Sequence, residues 1–286
     1  MSNTGLVLTS LLLVAGILLI RALALAGIRW LVNARTVAKV SPYGRTAAVS
    51  AGLLVRRLHP GLFAILRRRL RLGAFTGLPL TLLVLAAFYI AALLAGLTHE
   101  VLEAEGTLRF DEAVNAALTP WRRKPLIDAF LWITQLGSGP ALGAVAMTAT
   151  AFLWAGRRPA LIIPLWVAFL GAQLTTWAGK YAIDRHRPVF LEGVSAMSPS
   201  FPSGHATGAM AVYGFLAYAI ARELPGWRPR FEVAFWSGVL ILLIGFSRIY
   251  LSAHYLTDVA AGFLVGGFWL VVAFTAAEWK RGSKTG

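Results

Sequence analysis

Residues 78–97 read LPLTLLVLAAFYIAALLAGL. No charge interrupts them, and at about 1.5 Å per residue a helix of this length spans the roughly 30 Å hydrocarbon core of a bilayer. Working outward in both directions, further stretches meet the same condition at 5–28, 139–156, 161–178, 206–222, 233–251 and 257–277. Together they predict an all-α, polytopic membrane helix bundle with about seven transmembrane helices. Composition agrees: the 286 residues are 58% hydrophobic and 14% charged, with a mean hydropathy of +0.69, which leaves too little polar surface to cover a soluble domain. The first stretch has no basic residue before it and exceeds the length of a signal-peptide apolar region, so a retained helix is expected, with Arg21 snorkelling to the nearer surface.

Charge sets the orientation. Between the first two spans stand Arg29, Arg35, Lys39, Arg45, Arg56, Arg57, Arg67, Arg68, Arg69 and Arg71, with no acidic residue among them. The positive-inside rule makes this segment cytoplasmic. Alternation then puts Arg157 and Arg158, Arg222, Arg228 and Arg230, and finally Lys280, Arg281 and Lys284 on the same side. The loops 98–138, 179–205 and 252–256 face outward, and the amino terminus lies outside.

The net charge of +15 accordingly points to a membrane surface rather than to nucleic acid. Val37 to Leu72 mixes apolar residues with clustered arginines and suits an interfacial helix on anionic lipid. No aromatic platform or nucleic-acid recognition motif accompanies it. Most of the tryptophans sit near predicted span ends, as an aromatic belt requires. The chain has no cysteine, which removes disulfides, thiolate nucleophiles and thiolate metal sites. The expected division is 1–77, an N-terminal transmembrane helix with a basic amphipathic cytoplasmic segment, and 78–286, a membrane domain.

Outward loops hold an unusual set of polar residues: KYAIDRHRP at 180–188, PSFPSGH at 199–205, and Ser247, Arg248, His254 and Asp258. Lys180, Arg187 and Arg248 fall near membrane boundaries on one side and can converge on a single anion. His254 and Asp258 are four apart, which on a helix places both on one face. The carboxylate can then hold one imidazole nitrogen while the other acts as a nucleophile. Ser203 is expected to cap a helix, Gly204 to let backbone approach closely, and free amides there to face an oxyanion. His205 supplies the proton a leaving group needs. Structural readings exist for each part: Lys180, Arg185 and Arg187 as the end of a span, His205 as a cap, and His254 with Asp258 as an interhelical pair. A metal held by the two histidines and Asp258 is disfavoured by the surrounding cations. Charges at a membrane face are costly, and their number here favours an anion site.

In the three segments KYAIDRHRP, PSGH and SRIYLSAH with Asp258 beyond it, the chain resembles the type 2 phosphatidic acid phosphatase superfamily, and within it the bacterial membrane lipid phosphatases. That superfamily also includes glucose-6-phosphatase and vanadium haloperoxidases. The resemblance covers 78–277 and implies a six-helix family core. It implies phosphate binding by Lys180, Arg187, Ser203, Gly204 and Arg248, a nucleophile in His254 supported by Asp258, an acid in His205, and no metal or other cofactor. Ser252 and Leu256 stand where many members have glycine and proline, and Asp111 resembles an outer aspartate of some members, with a structural role expected.

The function implied is hydrolysis of a lipid phosphate or pyrophosphate (undecaprenyl pyrophosphate, phosphatidylglycerophosphate or phosphatidic acid) through a phosphohistidine at the outer face of a bacterial inner membrane. A phosphatase of soluble esters is the enzymatic alternative. A transporter or a non-catalytic lipid-binding scaffold is the alternative of another class, the first weakened by the lack of paired broken spans and the second by the intact Lys180, His205 and His254. Orientation is open to direct test with single cysteines. On intact cells, an impermeant thiol reagent should label Glu192→Cys and leave Ser41→Cys unlabelled, and equal outside labelling of the two would reject the assignment.

Overall fold

The computed structural model describes residues 14–29, 75–188 and 198–282, with the single positions 60, 61, 64 and 69. The chain divides into two compact units, Met1–Arg67 and Arg68–Gly286. In the first, residues 14–29 are helical, within the first expected span. The amphipathic reading of 37–72 lies outside the described residues except at those single positions.

The second unit is all-α among the described residues: α1 (Leu78–Glu103), α2 (Glu105–Leu118), α3 (Lys124–Gln135), α4 (Gly139–Ala155), α5 (Ile162–Ile183), α6 (Gly204–Ala221), α7 (Trp227–Tyr250) and α8 (Leu256–Gly282). It is a membrane-embedded bundle. Four described segments are long and apolar enough to cross a bilayer, namely α1, Pro159–Ile183, α7 and Leu256–Lys280, and a fifth is gained if α3 and α4, bent by 46° at their junction, count as one span. The segment expected as an outer loop, 98–138, is instead mostly helical. α1 runs on to Glu103, and α2 and α3 follow, each with a single buried residue, Asp111 and Thr134 respectively. Their polar residues are interleaved with apolar ones rather than grouped, which suits helices half covered by the bundle.

α6 is the central helix. It packs on α8, α7, α5 and α4, and its sequence GHATGAMAVYGFLAYAIA is rich in glycine and alanine. Between helices in lipid, close approach of backbones replaces the hydrophobic drive, so small residues gather at contacts. α8 meets α6 through Gly262 and Gly266: a β-carbon on the first would come 2.7 Å from the Ser203 carbonyl oxygen, and on the second 2.5 Å from that of Thr207. Gly171 of α5 lies against the Trp269 ring in the same manner, and the Trp269 Nε1–H donates to Thr175 Oγ1 at 2.9 Å. Leu142, Leu165, Val212 and Phe215 fill the interior between α4, α5 and α6.

The α2–α3 link is tied to the end of α7. Arg122 Nε donates to the Tyr250 carbonyl at 2.8 Å, and Ser252 Oγ to Asn115 Oδ1 at 2.6 Å. A cation there also meets the negative end of the α7 dipole. The contact between α6 and α8 yields a stability prediction. Gly266→Leu must push backbone against backbone and should lower stability by about 3 kcal/mol or more, the upper end for overpacking, whereas Gly96→Leu, with nothing within 4 Å of a β-carbon, should melt like the parent. Equal melting of the two variants in detergent would show that α6 and α8 do not touch there.

Candidate active site

α5 ends at Ile183 with Asp184 in the left-handed region (φ 47°). That residue turns the chain so that Arg185 to Pro188 run back across the bundle end. Lys180, one turn before the break, donates to the Pro199 carbonyl. Arg187 donates from Nε to the Ser198 carbonyl at 2.8 Å and from Nη1 to the Ala253 carbonyl at 2.6 Å, and its Nη2 reaches Ser198 Oγ at 3.2 Å. Its Nη1 also lies 3.3 Å from His254 Nε2. Lys180 and Arg187 therefore hold the 198–200 segment over the third group of polar residues. Burial works against the Arg187 charge and lowers its pKa from the usual value.

Asp258, with 0% exposure, gathers donors. Arg185 Nη1 reaches Oδ1 at 2.6 Å, the Tyr255 backbone N–H reaches Oδ2 at 2.9 Å, and Ser200 Oγ donates to Oδ2. His254 Nδ1 stands 3.5 Å from the same Oδ2 and 3.4 Å from Ser200 Oγ. The expectation that His254 and Asp258 share a helix face is corrected here. α8 begins at Leu256, so His254 belongs to the turn before it. The pair meets because Asp258 in the first turn reaches back to the N-cap amide, as a capping-box carboxylate does, while the His254 amide is held on the Arg248 carbonyl at 3.2 Å. A neutral ring with its proton on Nδ1 satisfies the Asp258 and Ser200 side and leaves the Nε2 lone pair toward Arg187. Burial, only partly opposed by Asp258, pushes the His254 pKa down to about 4, so the ring is neutral at physiological pH.

Arg185 spans two carboxylates. Its Nη2 reaches Asp111 Oδ2 at 2.9 Å, and its guanidinium lies 4.5 Å over the Tyr255 ring. Burial disfavours its charge, but Asp258 and Asp111 outweigh that and raise its pKa. Asp111 also accepts the Thr257 backbone N–H at 3.1 Å, so α2 is clamped to the start of α8. The structural role expected for Asp111 fits these contacts. Sequence alone does not single out Arg185 and Ser200: an arginine between Lys180 and Arg187 reads as a span flank, and a serine between two prolines reads as a loop.

Ser203 and Gly204 open α6. Ser203 occupies the N-cap position but makes no side-chain cap bond, contrary to expectation, and its backbone N–H donates to the Asp258 carbonyl at 2.9 Å. The tight approach of α8 at Gly262 supplies that acceptor. The amide of Ser203 is thus not available to an anion, while its hydroxyl is buried without a partner. Gly204 lies at the helix start beside Thr176, where a β-carbon would be 3.5 Å from the threonine methyl, and first-turn amides have no intrahelical acceptor. His205 is half-buried, near enough to Arg248, His254, Arg187 and Lys180 to feel their charges. The α3–α4 break lies against it: a β-carbon at Gly137 would come 3.2 Å from His205 Cβ. Arg248, buried at the end of α7, donates from Nη1 to Thr134 Oγ1 at 2.8 Å.

All eight residues expected from sequence, Lys180, Arg187, Ser203, Gly204, His205, Arg248, His254 and Asp258, therefore lie at one end of the bundle. Among the described residues, the buried side-chain polar atoms without a partner are Thr176 Oγ1, Ser203 Oγ and Arg248 Nε. Buried polar groups are normally satisfied, and three orphans at or beside one cluster of cations mark a place able to receive an anion. Among the described residues no group of three or more histidine, aspartate or glutamate side chains is placed to hold a metal ion.

Comparison with known proteins gives the family. Residues 160–281 match the family model of the PAP2 superfamily. Phosphatidylglycerophosphatase B of Bacillus subtilis is 33% identical over 167 residues, covering 57% of this chain and 82% of the relative. Lipid A 1-phosphatase of Rhizobium etli is 35% identical over 136 residues, covering 41% of this chain and 53% of the relative. The crystal structure of a transmembrane PAP2 type phosphatidylglycerolphosphate phosphatase from Bacillus subtilis aligns with a TM-score of 0.62 at 28% identity, covering 68% of this chain and 96% of its own. Matched over its carboxy-terminal spans and by a relative aligned along most of its length, the chain belongs to the PAP2 superfamily, the phosphatidic acid phosphatases of type 2, and has bacterial membrane lipid phosphatases among its homologues.

Proposed function

We propose that this protein hydrolyses a lipid phosphate or lipid pyrophosphate through a phosphohistidine on His254, without a metal, at the outer face of the inner membrane. The observation that carries the reading is the setting of His254: Nδ1 faces Ser200 and Asp258, and Nε2 lies 3.3 Å from the Arg187 guanidinium. A neutral imidazole so oriented presents its lone pair where cations hold a phosphoryl group. In the first step Nε2 bonds to phosphorus, the bond to the leaving oxygen breaks, and His205 gives that oxygen its proton. In the second, His205 takes a proton from water, whose oxygen bonds to phosphorus as the P–N bond breaks, releasing phosphate and neutral His254. Lys180, Arg187 and Arg248 offset charge on the equatorial oxygens, with the Ser203 hydroxyl and the Gly204 amide. The contacts of Arg187 already match its five donors in number, so a phosphate oxygen reaches it by displacing one of them.

A lipid substrate is supported by the position of the site at the end of apolar helices, where a tail can stay in the bilayer, and by relatives named for phosphatidylglycerophosphate and lipid A. Undecaprenyl pyrophosphate, phosphatidylglycerophosphate and phosphatidic acid are the candidate substrates. The reading includes seven spans with a six-helix core, α6 crossing as an internal helix. It also includes a 78–286 phosphatase domain preceded by a segment, 1–77, whose basic part rests on anionic lipid. Phosphate release from a panel of these lipids and from soluble phosphate esters, with a chelator present, tests it. Release from at least one lipid is expected, release from soluble esters alone would overturn the lipid reading, and silence until a divalent metal is added would overturn the cation mechanism.

The two histidines are separable by leaving group. His205→Ala should lose about 100- to 10,000-fold on a lipid alkoxide, yet still release nitrophenol from an aryl phosphate in the first turnover, because nitrophenolate departs without a proton. His254→Ala should give no burst and no acid-labile labelling by radioactive phosphate. Labelling of His254→Ala, or an equally dead first step in both folded variants, would require the roles to be exchanged.

A further inference from the structure

At the end of the bundle away from His205, α4 and α6 separate. α6 has by then risen through 18 residues, about 27 Å at the helical rise. The opening is a groove of ≈ 670 Å³, within the range of roughly 300–1,000 Å³ usual for small-molecule sites. Its floor is made by small side chains, Ala144, Thr148 and Ala149 of α4 and Ala219 of α6, and its walls by larger ones such as Phe152 and Ile220. Thr148 is the polar residue within this apolar lining. At its mouth Arg158 Nη2 and Glu223 Oε2 meet at 2.5 Å, joining the ends of the two helices.

Next to this ion pair the backbone holds an unexpected residue. α4 closes with the Arg157 N–H on the Trp154 carbonyl at 3.0 Å and the Arg158 N–H on the Leu153 carbonyl at 2.7 Å. That double bond pattern calls for a left-handed residue, normally glycine. Here the left-handed residue is Arg157 (φ 56°), although Gly156 stands immediately before it. A side chain at a position that disfavours one is a signal of use. Arg157 is exposed, and the ion pairs described at this end, Arg158 with Glu223 and Arg222 with Glu278, do not involve it. Glu223 is engaged by Arg158, so its repulsion of an incoming anion is offset, and Arg157, next to Arg158 in the chain, adds a positive charge at this end of α4.

We propose that this groove binds one anionic glycerophospholipid of the leaflet opposite the phosphatase site, with an acyl chain between α4 and α6 and its phosphodiester on Arg157 and the outer edge of Arg158. A guanidinium fork matches two phosphate oxygens, and the apolar walls match a chain that water never reaches. The site is separate from the hydrolytic one: its ligand is a diester that is held and not cleaved, and it stands or falls independently of the mechanism assigned to His254.

The full-length protein, delipidated in detergent, is titrated with phosphatidylglycerol or phosphatidylcholine of the same chains, and bound lipid is counted by native mass spectrometry. The wild type should retain one phosphatidylglycerol in preference to phosphatidylcholine. Arg157→Gly relieves the backbone and should fold at least as well and hydrolyse substrate normally, but lose roughly fivefold in phosphatidylglycerol affinity, the scale of one arginine against anionic lipid. Thr148→Trp, an exposed position, should fill the groove and abolish retention of both lipids. Equal retention of the two lipids by the wild type would overturn the proposal. A preference unchanged in Arg157→Gly would do the same, because it would then belong to the phosphate site at the other end.

Discussion

A fully buried carboxylate has to be neutralised or it does not stay ionised, and Asp258 is the point at which this chain meets that constraint. Arg185, Ser200 and the Tyr255 amide all donate to it, and His254 stands beside them. Each comes from a different piece of chain: the turn after α5, the segment before α6, and the turn before α8. Arg185 then passes the demand on to Asp111 of α2. The end of the bundle that carries the site is thus organised by the need to surround one negative charge, and the placement of His254 beside Asp258 follows from it. Burial pairs of this kind add little net stability. Their value here is geometric, since the same carboxylate faces Nδ1 of His254 and leaves Nε2 toward Arg187.

Much of this arrangement is legible in the sequence. The uncharged run at 78–97 and its counterparts announce a helical membrane bundle, and the three polar segments favour an anion site because their cations and histidines fall together near membrane boundaries on one side. What sequence did not carry was how the pieces meet. The spacing of His254 and Asp258 suggested one helix face, whereas a capping contact at the start of α8 joins them. Ser203 suggested a cap, whereas its amide is taken by a neighbouring helix. Both differences have the same source: helix ends are decided by tertiary neighbours as much as by local preference, and a neighbour is invisible in a window of ten residues.

The segment between α1 and α4 makes the same point at larger scale. Its acids and bases read as a solvated loop, yet Asp111, Asn115 and Arg122 all find partners on α7, in the turn after it or at the start of α8. Thr134 and Gly137, unremarkable in sequence, lie against Arg248 and His205. Residues with no chemistry of their own therefore shape the surroundings of those that have it, and they are found only by asking what touches a histidine that has no room on one side.

The glycine contact between α6 and α8 has a further consequence. Where Gly262 brings the two backbones together, the Ser203 amide binds the Asp258 carbonyl directly. One imidazole rides on α6 two residues beyond that bond, and the other sits four residues before its acceptor. The separation of the two backbones that carry them is therefore set by main chain, and Asp258, Ser200 and Arg187 then orient the His254 ring. Such a linkage behaves as a gauge block: sequence drift elsewhere in the spans can reshape the lipid-facing surface while the spacing of the two backbones is left untouched.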